Sequence, residues 1–288
     1  MYGKNRTSEA LSNDRWVEAI LVDKTPLTEP PSNKNANTSA NAPPYIPTLL
    51  YRIAFPKDTK LTMNVGEHIS FKAVCDDGKT VIRQYTPITT QFNNNYLDFG
   101  IKLYPNGAMS KHLQHLTVGS KIQVKGPSGK LQYRYNSVFS MRQYNSAKKM
   151  YTTNRVRVKD LILIAGGSGI SPILQVLRAL YEESNTDITR YVFYGASSES
   201  ELAFKDEIDT MKDAAPSSVR VHYAVVSPPS KAVHPYIVGF ITREILHKHL
   251  PSPSDDTLVL ICGPPPMVSG MLSHLHSLNY NDSMIFVY

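Results

Sequence analysis

The chain is poor in cysteine: among 288 residues only Cys75 and Cys262 occur. They lie far apart and no C-x-x-C is present, so a disulfide framework, a zinc knuckle and a cysteine-ligated iron–sulfur cluster are all unsupported. A reducing compartment is the expectation. Long apolar runs are missing as well; the stretch from Leu161 to Ala165 is far too short to cross a bilayer. The opening "MYGKNRTSEALSND" has no apolar signal core, and its glycine stands at position 3 rather than 2, so the myristoylation pattern fails. The expected location is the cytoplasm, or the cytoplasmic face of a membrane if an anchor lies outside this chain. There is no G-x-S-x-G, no H-E-x-x-H and no internal repeat. His112 and His115 could share a helix face, but nothing acidic completes a metal site, and all nine histidines read as surface or packing residues. Lys and Arg total 31 against 24 Asp and Glu, a formal charge of +7. That mild excess suits an acidic partner steered in by field. Nucleic acid is not expected, since no dense basic cluster interleaved with aromatics stands out.

What is present is globular. Hydrophobic residues make up 41% and charged residues 19%, enough for two ordinary domains at this length. Residues 1–14 read as a flexible tail, and the Pro-, Asn- and Ser-rich stretch 28–47 as a low-complexity loop inserted into the first domain. Period-2 alternation runs through Ile69, Phe71 and Ala73, then Leu97, Phe99, Ile101 and Leu103, then Ile122 and Val124. An antiparallel β-barrel of the Greek-key type is expected over 15–133, with one short helix near 109–116. Residues 134–157 are polar and basic and read as a linker. After them the pattern alternates between apolar strands such as "DLILIA" (160–165) and amphipathic helices such as "PILQVLRALYEE" (172–183). That order predicts a parallel α/β sheet over 158–288, of the nucleotide-binding kind.

Several short segments carry chemistry. "AGGSGISP" (165–172) joins a strand to a helix; its glycines allow close backbone approach, and the helix N-terminus offers free N–H groups to a phosphate. Pro172 stands where the common dinucleotide fingerprint has a third glycine, so a tight turn without a ligand is an equal reading at this point. "ICGPPPM" (261–267) ends a strand at the sheet edge where ligands lie in open α/β folds, and would project Cys262 into that crevice; the bland alternative is a small buried hydrophobe. "RQYTPIT" (83–89) places a guanidinium, a flat ring and a hydroxyl together. Arg83 can clamp a phosphate, Tyr85 can stack and Thr86 can donate or accept. "IKLYPNGAMS" (101–110) adds Gly107 and Ser110 at a second helix N-terminus. Taken singly, Arg83 as a surface ion pair, Tyr85 as a core tyrosine and Ser110 as a helix cap are the better readings; their co-occurrence shifts the balance.

Taken in order, "RQYTPIT", "GIKLYPNGAMS", "GPSG" (126–129), "AGGSGISP" and "CGPPPM" resemble the ferredoxin–NADP reductase superfamily, and within it the NADH–cytochrome b5 reductase branch and the flavin domain of nitrate reductase. The resemblance spans roughly 15–288. It implies a barrel that binds FAD and an α/β domain that binds NADH. By similarity, Arg83 pairs with the FAD pyrophosphate, Tyr85 lies against the flavin with Gln84 beside it, and the Thr86 hydroxyl approaches the ring edge. Lys102 and Tyr104 match strand residues near the cofactors; Gly107, Met109 and Ser110 match the segment that cradles the pyrophosphate. Gly166, Gly167, Ser168, Gly169 and Ser171 would face both flavin and nicotinamide nucleotide. Cys262, with Gly263, Pro264 and Met267 behind it, would orient the nicotinamide ring. Thr86 and Cys262 are thus the expected catalytic residues. Glu201 matches the acidic position that bonds a ribose 2′-OH and repels a 2′-phosphate, which favours NADH. The family's threonines are Ser168 and Ser171 here, Gln84 replaces a proline, and the chain ends in Tyr288 where cytochrome b5 reductases end in phenylalanine. A terminal tyrosine resembles the plant-type ferredoxin reductases, where it covers the flavin. The expected activity is hydride uptake from NADH and release of single electrons to cytochrome b5 or another acidic haem protein. An NADPH-dependent reductase of a ferredoxin-like or quinone acceptor, and a non-catalytic NAD(H)-sensing module, are the alternatives.

Overall fold

The computed structural model describes residues 11–30, 44–57, 59–75, 78–92, 95–145, 149–183, 186–227 and 236–288. The expected tail at 1–14 and loop at 28–47 lie largely outside the described residues. The first half is a six-stranded antiparallel sheet: β1 (Val17–Pro26), β2 (Thr48–Ala54), β3 (His68–Val74), β4 (Thr80–Tyr85), β5 (Tyr96–Lys102) and β6 (Lys121–Ser128). Their order, β4-β3-β6-β1-β2-β5, is not sequential, as in a Greek key; β4 and β5 form its two edges. The sheet forms a barrel-like shell in which alternate residues point to one side. Ile69, Phe71 and Ala73 of β3 pack with Leu97, Phe99 and Ile101 of β5 and Ile122 and Val124 of β6 in one cluster. Helix α1 (Ala108–His115) inserts between β5 and β6.

Residues 134–157 are not a plain linker. They supply most of a three-stranded antiparallel sheet, β7 (Leu131–Tyr133), β8 (Val138–Asn145) and β9 (Met150–Arg157). Phe139 and Met141 on one face are fully buried. On β8 the buried Phe139 and Met141 alternate with Ser140 and Arg142, and most of β9 is exposed and polar, so the segment looks polar as a whole.

The second half is an all-parallel sheet ordered β13-β12-β11-β10-β14-β15. It is built from β10 (Asp160–Gly166), β11 (Thr189–Ser198), β12 (Val219–Ser227), β13 (Ile237–Val238), β14 (Thr257–Cys262) and β15 (Ile285–Val287). Helices α2 (Ile170–Glu182) and α3 (Lys205–Ala214) cover one face; α4 (Arg243–His249) and α5 (Pro265–Ser277) cover the other. The continuous apolar run of β10 follows from this sandwiching. Leu161, Leu163 and Ala165 pack toward α2, and Ile162 and Ile164 toward α5.

Helix α2 ties the halves together through one stripe. Ser171, Gln175, Arg178 and Glu182 follow each other at four, three and four residues, so they share a helix face. Ser171 Oγ donates to the Gly100 carbonyl at 2.9 Å, the fully buried Gln175 accepts from the Gly66 N–H at 2.7 Å, Arg178 donates to the Ile88 carbonyl at 2.7 Å, and Glu182 accepts from Thr90 Oγ1 at 2.7 Å. Each bond crosses from the parallel sheet's helix to the barrel.

On the opposite face, His222 of β12 stacks on Phe193 with ring centres 4.9 Å apart, and meets His249 of α4 at 4.1 Å. Burial, with His249 and Arg220 nearby, lowers the His222 pKa from 6.5 to about 4. The imidazole therefore stays neutral in the folded chain under conditions where the unfolded chain protonates it. Its stabilising contribution is complete above pH 6.5 and drains as the pH falls toward 4. Urea midpoints measured on either side of pH 6.5 should fall on the acid side, and His222→Phe should flatten that fall; equal pH dependence in both proteins would exclude this imidazole as the cause.

Candidate functional site

The C-terminal edge of β10 and β14 faces the end of β4 across a cavity of about 820 Å³. This is within the range of about 300–1,000 Å³ usual for cofactor pockets. Arg83, Gln84, Tyr85 and Thr86 line it from β4; Lys102, Tyr104, Gly107, Met109 and Ser110 from the β5–α1 segment; Ser168, Gly169, Ser171, Cys262 and Gly263 from the parallel sheet. Most of the expected residues thus converge from positions far apart in the chain.

The barrel side is held from behind. Tyr85 leans on Phe71 with ring centres 4.9 Å apart, and burial raises its phenol pKa to about 12, so it is a neutral surface. Arg83 donates to its neighbour's carbonyl, Ile82, at 2.8 Å, which turns its exposed head along the strand edge. Helix α1 points its first turn at the cavity; backbone N–H groups there have no partner within the helix. Its other end is clamped. Lys24 Nζ donates to the carbonyls of Leu113, Gln114 and Leu116 at 3.2, 2.7 and 2.8 Å, and Tyr51 donates to Leu113 O at 3.0 Å. A cation at the C-terminus and open donors at the N-terminus both follow the helix dipole.

On the parallel-sheet side, the turn after β10 folds tightly against the end of β14. A side chain at Gly169 would overlap the Cys262 carbonyl, so glycine is required there for the two strand ends to meet. Cys262 is half-buried, and desolvation pushes its thiol up to about 11; it is an uncharged contact at neutral pH. Gly166, Gly167, Pro264 and Met267 do not line the cavity. The Met267 thioether packs beside Gly166 and Gly263 and supports the turn from below.

Three expectations change. Glu201 is not at the cavity: it is 2% exposed, and its carboxylate forms an ion pair with Lys102, itself almost buried. A carboxylate already neutralised inside the fold is not placed to read a ribose. The acid on the surface side at the end of β11 is Glu199, half-buried and accepting from the Tyr236 hydroxyl. The Ser171 hydroxyl is spent on Gly100, and Ser110 Oγ accepts from the Tyr104 N–H at 3.2 Å, so both act first as scaffold. Finally, not every histidine is surface or packing: His68 lines the cavity, with Nε2 buried and unpartnered and its pKa lowered by burial. His68 sits in "VGEHIS", which carries no local signal beyond a strand start. Lys130, Arg142 and the C-terminal Phe286, Val287 and Tyr288 also line the cavity. The Tyr288 hydroxyl is buried without a partner, and burial, with a smaller push from nearby Cys262, raises its pKa.

A helix N-terminus and a guanidinium on the barrel side of the cavity, with the flat neutral ring of Tyr85 beside them, form a set that fits a flavin dinucleotide.

The seam beside the cavity is tight. Phe204, with φ of +64°, sits in a left-handed conformation that bulky residues rarely adopt. Its ring presses on Gly100: a Cβ at residue 100 would lie 2.6 Å from one ring carbon and 2.8 Å from another. The Ser171 bond and the Lys102–Glu201 pair flank this contact.

The family model described as "Oxidoreductase FAD-binding domain" matches residues 47–133, and "Oxidoreductase NAD-binding domain" matches 163–272. "NADH-cytochrome b5 reductase 1" of Dictyostelium discoideum is 36% identical over 242 residues, covering 84% of this chain and 76% of the relative. "NADH-cytochrome b5 reductase 3" of Rattus norvegicus is 30% identical over 252 residues, covering 84% and 81%. Among solved structures, the cytochrome b5 reductase domain of Ulva prolifera nitrate reductase superposes with a TM-score of 0.78 at 22% identity, covering 96% of this chain and 99% of that one. At that identity it speaks for the fold.

Glu201→Gln would strand a buried ammonium and is expected to cost about 3–5 kcal/mol of stability, read by urea denaturation; Lys102→Met in the same chain should recover most of it. Gly100→Ala should lower the melting temperature by wedging Phe204 outward, and Phe204→Ala should relieve part of that loss in the double variant; additive losses would mean that the two residues do not press on each other.

Proposed function

Because the chain belongs to the NADH–cytochrome b5 reductase branch of the ferredoxin–NADP reductase superfamily, we propose that it takes hydride from NADH and passes electrons singly to a haem acceptor such as cytochrome b5. The observation that carries this reading is the single cavity in which Arg83, Tyr85 and Thr86 of the barrel face Ser168, Gly169 and Cys262 of the parallel sheet. FAD, when bound, supplies the conversion of a two-electron donor into one-electron steps.

The chain's own work is placement and exclusion of water. Arg83 and the first turn of α1 supply positive potential for a pyrophosphate. Tyr85 offers a neutral face that the Phe71 ring holds in place. The Thr86 hydroxyl, at the end of β4, donates or accepts at the reacting edge. The seam at Gly100 holds the two halves at a fixed separation, so little reorganisation is needed when a donor enters. Cys262, kept as a neutral thiol by burial, packs against a nicotinamide rather than attacking it. Glu199 takes over the part expected of Glu201. At the C-terminal end of β11 its carboxylate suits a ribose 2′-hydroxyl and repels a 2′-phosphate, which selects NADH. No helix among the described residues is long and apolar enough to cross a membrane.

Purified protein should be yellow and should bleach on anaerobic addition of NADH. Arg83→Ala should lower FAD content and affinity, and Cys262→Ala should slow bleaching with the flavin still bound. A colourless protein, or a yellow one that NADH leaves unchanged, would leave the nucleotide-sensing alternative standing instead.

A further inference from the structure

The two ends of helix α1 are treated differently. At the first turn nothing of the helix's own answers the positive end of its dipole. Gly107 at the N-cap offers no side-chain acceptor, and the turn holds no Asp or Glu. Gly107, Ala108, Met109 and Ser110 line the cofactor cavity. The first N–H to close onto the helix is that of Lys111, which donates to Gly107 O at 2.9 Å. The N–H groups of Ala108, Met109 and Ser110 have no partner within the helix.

The other end is held by a cation from a distant strand. Lys24 and Tyr51 are cross-strand partners in β1 and β2, and both reach the last turn of α1. Lys24 Nζ meets the carbonyls of Leu113, Gln114 and Leu116 at 3.2, 2.7 and 2.8 Å. An ammonium has three donors, and here each finds a carbonyl at the negative end of the same helix. Tyr51, fully buried, donates to Leu113 O at 3.0 Å, and its ring centre lies 5.6 Å from the ammonium. Among the described residues no carboxylate pairs with Lys24, so its charge falls on the helix end.

Eight residues at 1.5 Å each put the two ends of α1 about 12 Å apart. Lys24 does not line the cavity and reaches it only through the helix. Met109 and Leu113 sink into the barrel core and fix how deep α1 lies. The three bonds from Lys24 fix where its last turn sits, and so the direction in which its first turn points. The same cation complements the negative end of the dipole and leaves the positive end for an anion in the cavity.

We propose that Lys24 is a positioning residue for the flavin dinucleotide: acting through α1, it aims the N–H groups of Ala108, Met109 and Ser110 at the pyrophosphate and strengthens their hold on it. This rests on the FAD reading above and adds to it a residue from outside the cavity, in a strand that carries none of the motifs.

The test follows release of FAD from the holoprotein on dilution, read by flavin fluorescence. Lys24→Met should raise the dissociation constant at least about fivefold, the scale of a cation lost from a helix terminus. Lys24→Arg, which keeps charge and donors, should stay within about twofold of wild type. Tyr51→Phe removes a neutral donor from the same helix end; it should lower the melting temperature and also leave FAD release within about twofold of wild type. The absorption band of the flavin still bound should keep its shape in every variant, because Tyr85 and Thr86 are untouched. If Lys24→Met folds too poorly to hold flavin, Lys24→Gln should show a smaller rise in the same direction. Wild-type release from Lys24→Met overturns the proposal. So does a Lys24→Arg protein as weak as Lys24→Met, or a Tyr51→Phe protein that loses FAD as readily, since the clamp would then be scaffold without an electrostatic part. A wild-type protein that takes up no FAD is a separate result, seen before any variant is made, and removes the cofactor reading together with the role of Lys24.

Discussion

The seam between barrel and parallel sheet is the constraint on which the site depends. A cavity formed by two halves has a defined shape only if the halves cannot slide. Here one stripe of α2 binds barrel backbone at Gly66, Ile88 and Gly100, where the acceptors and donors are main-chain groups with little freedom. Gln175 is decisive because it is fully buried. Separating the halves without water to replace that partner would leave an amide and a backbone N–H unsatisfied, and such groups cost about 1–3 kcal/mol each. The Lys102–Glu201 pair adds to this, since a buried ion pair resists the loss of either member more than it stabilises the fold outright. Gly100 is where the contacts of the seam meet. It accepts the Ser171 hydroxyl, carries the Phe204 ring and lines the cavity, three uses that only an absent side chain permits together.

The charges show a related economy. Ion pairs form within the barrel, as at Arg52–Asp98, and between helices of the parallel sheet, as at Arg178–Glu207. The inward face of the β7–β8–β9 sheet completes the shared core with Leu131, Tyr133, Phe139 and Met141, so the same strands that close the hydrophobic interior present Arg142 and Tyr144 outside. Period-2 alternation makes this double use possible: neighbouring residues serve opposite faces without conflict.

Much of this was legible in the chain. The run 160–165 and the alternation at Ile69, Phe71 and Ala73 announce a sandwiched strand and a half-buried one, because the pleat translates directly into residue order. The motif residues at the ends of β4, β10 and β14 were legible for the same local reason, since turns and helix starts demand glycine, proline or a hydroxyl at set offsets. The site residues that escaped are those whose role depends on what lies across space. His68 looks like any strand residue until the fold brings it to the cavity wall with its Nε2 buried and unpartnered. Glu201 looks like a rim acid until Lys102, a residue of the other half, is brought against it. The segment 134–157 looked like a linker because most of β9 is exposed and polar.

The order of residues by itself determined the two halves, the parallel and antiparallel sheets and the motifs at their edges, because these obey short-range periodicity and turn chemistry. Only the tertiary structure decided which hydroxyls and carboxylates remain available to a ligand, and where Phe204 comes to rest. Those outcomes depend on desolvation and on partners drawn from distant parts of the chain, and neither is written into any local stretch.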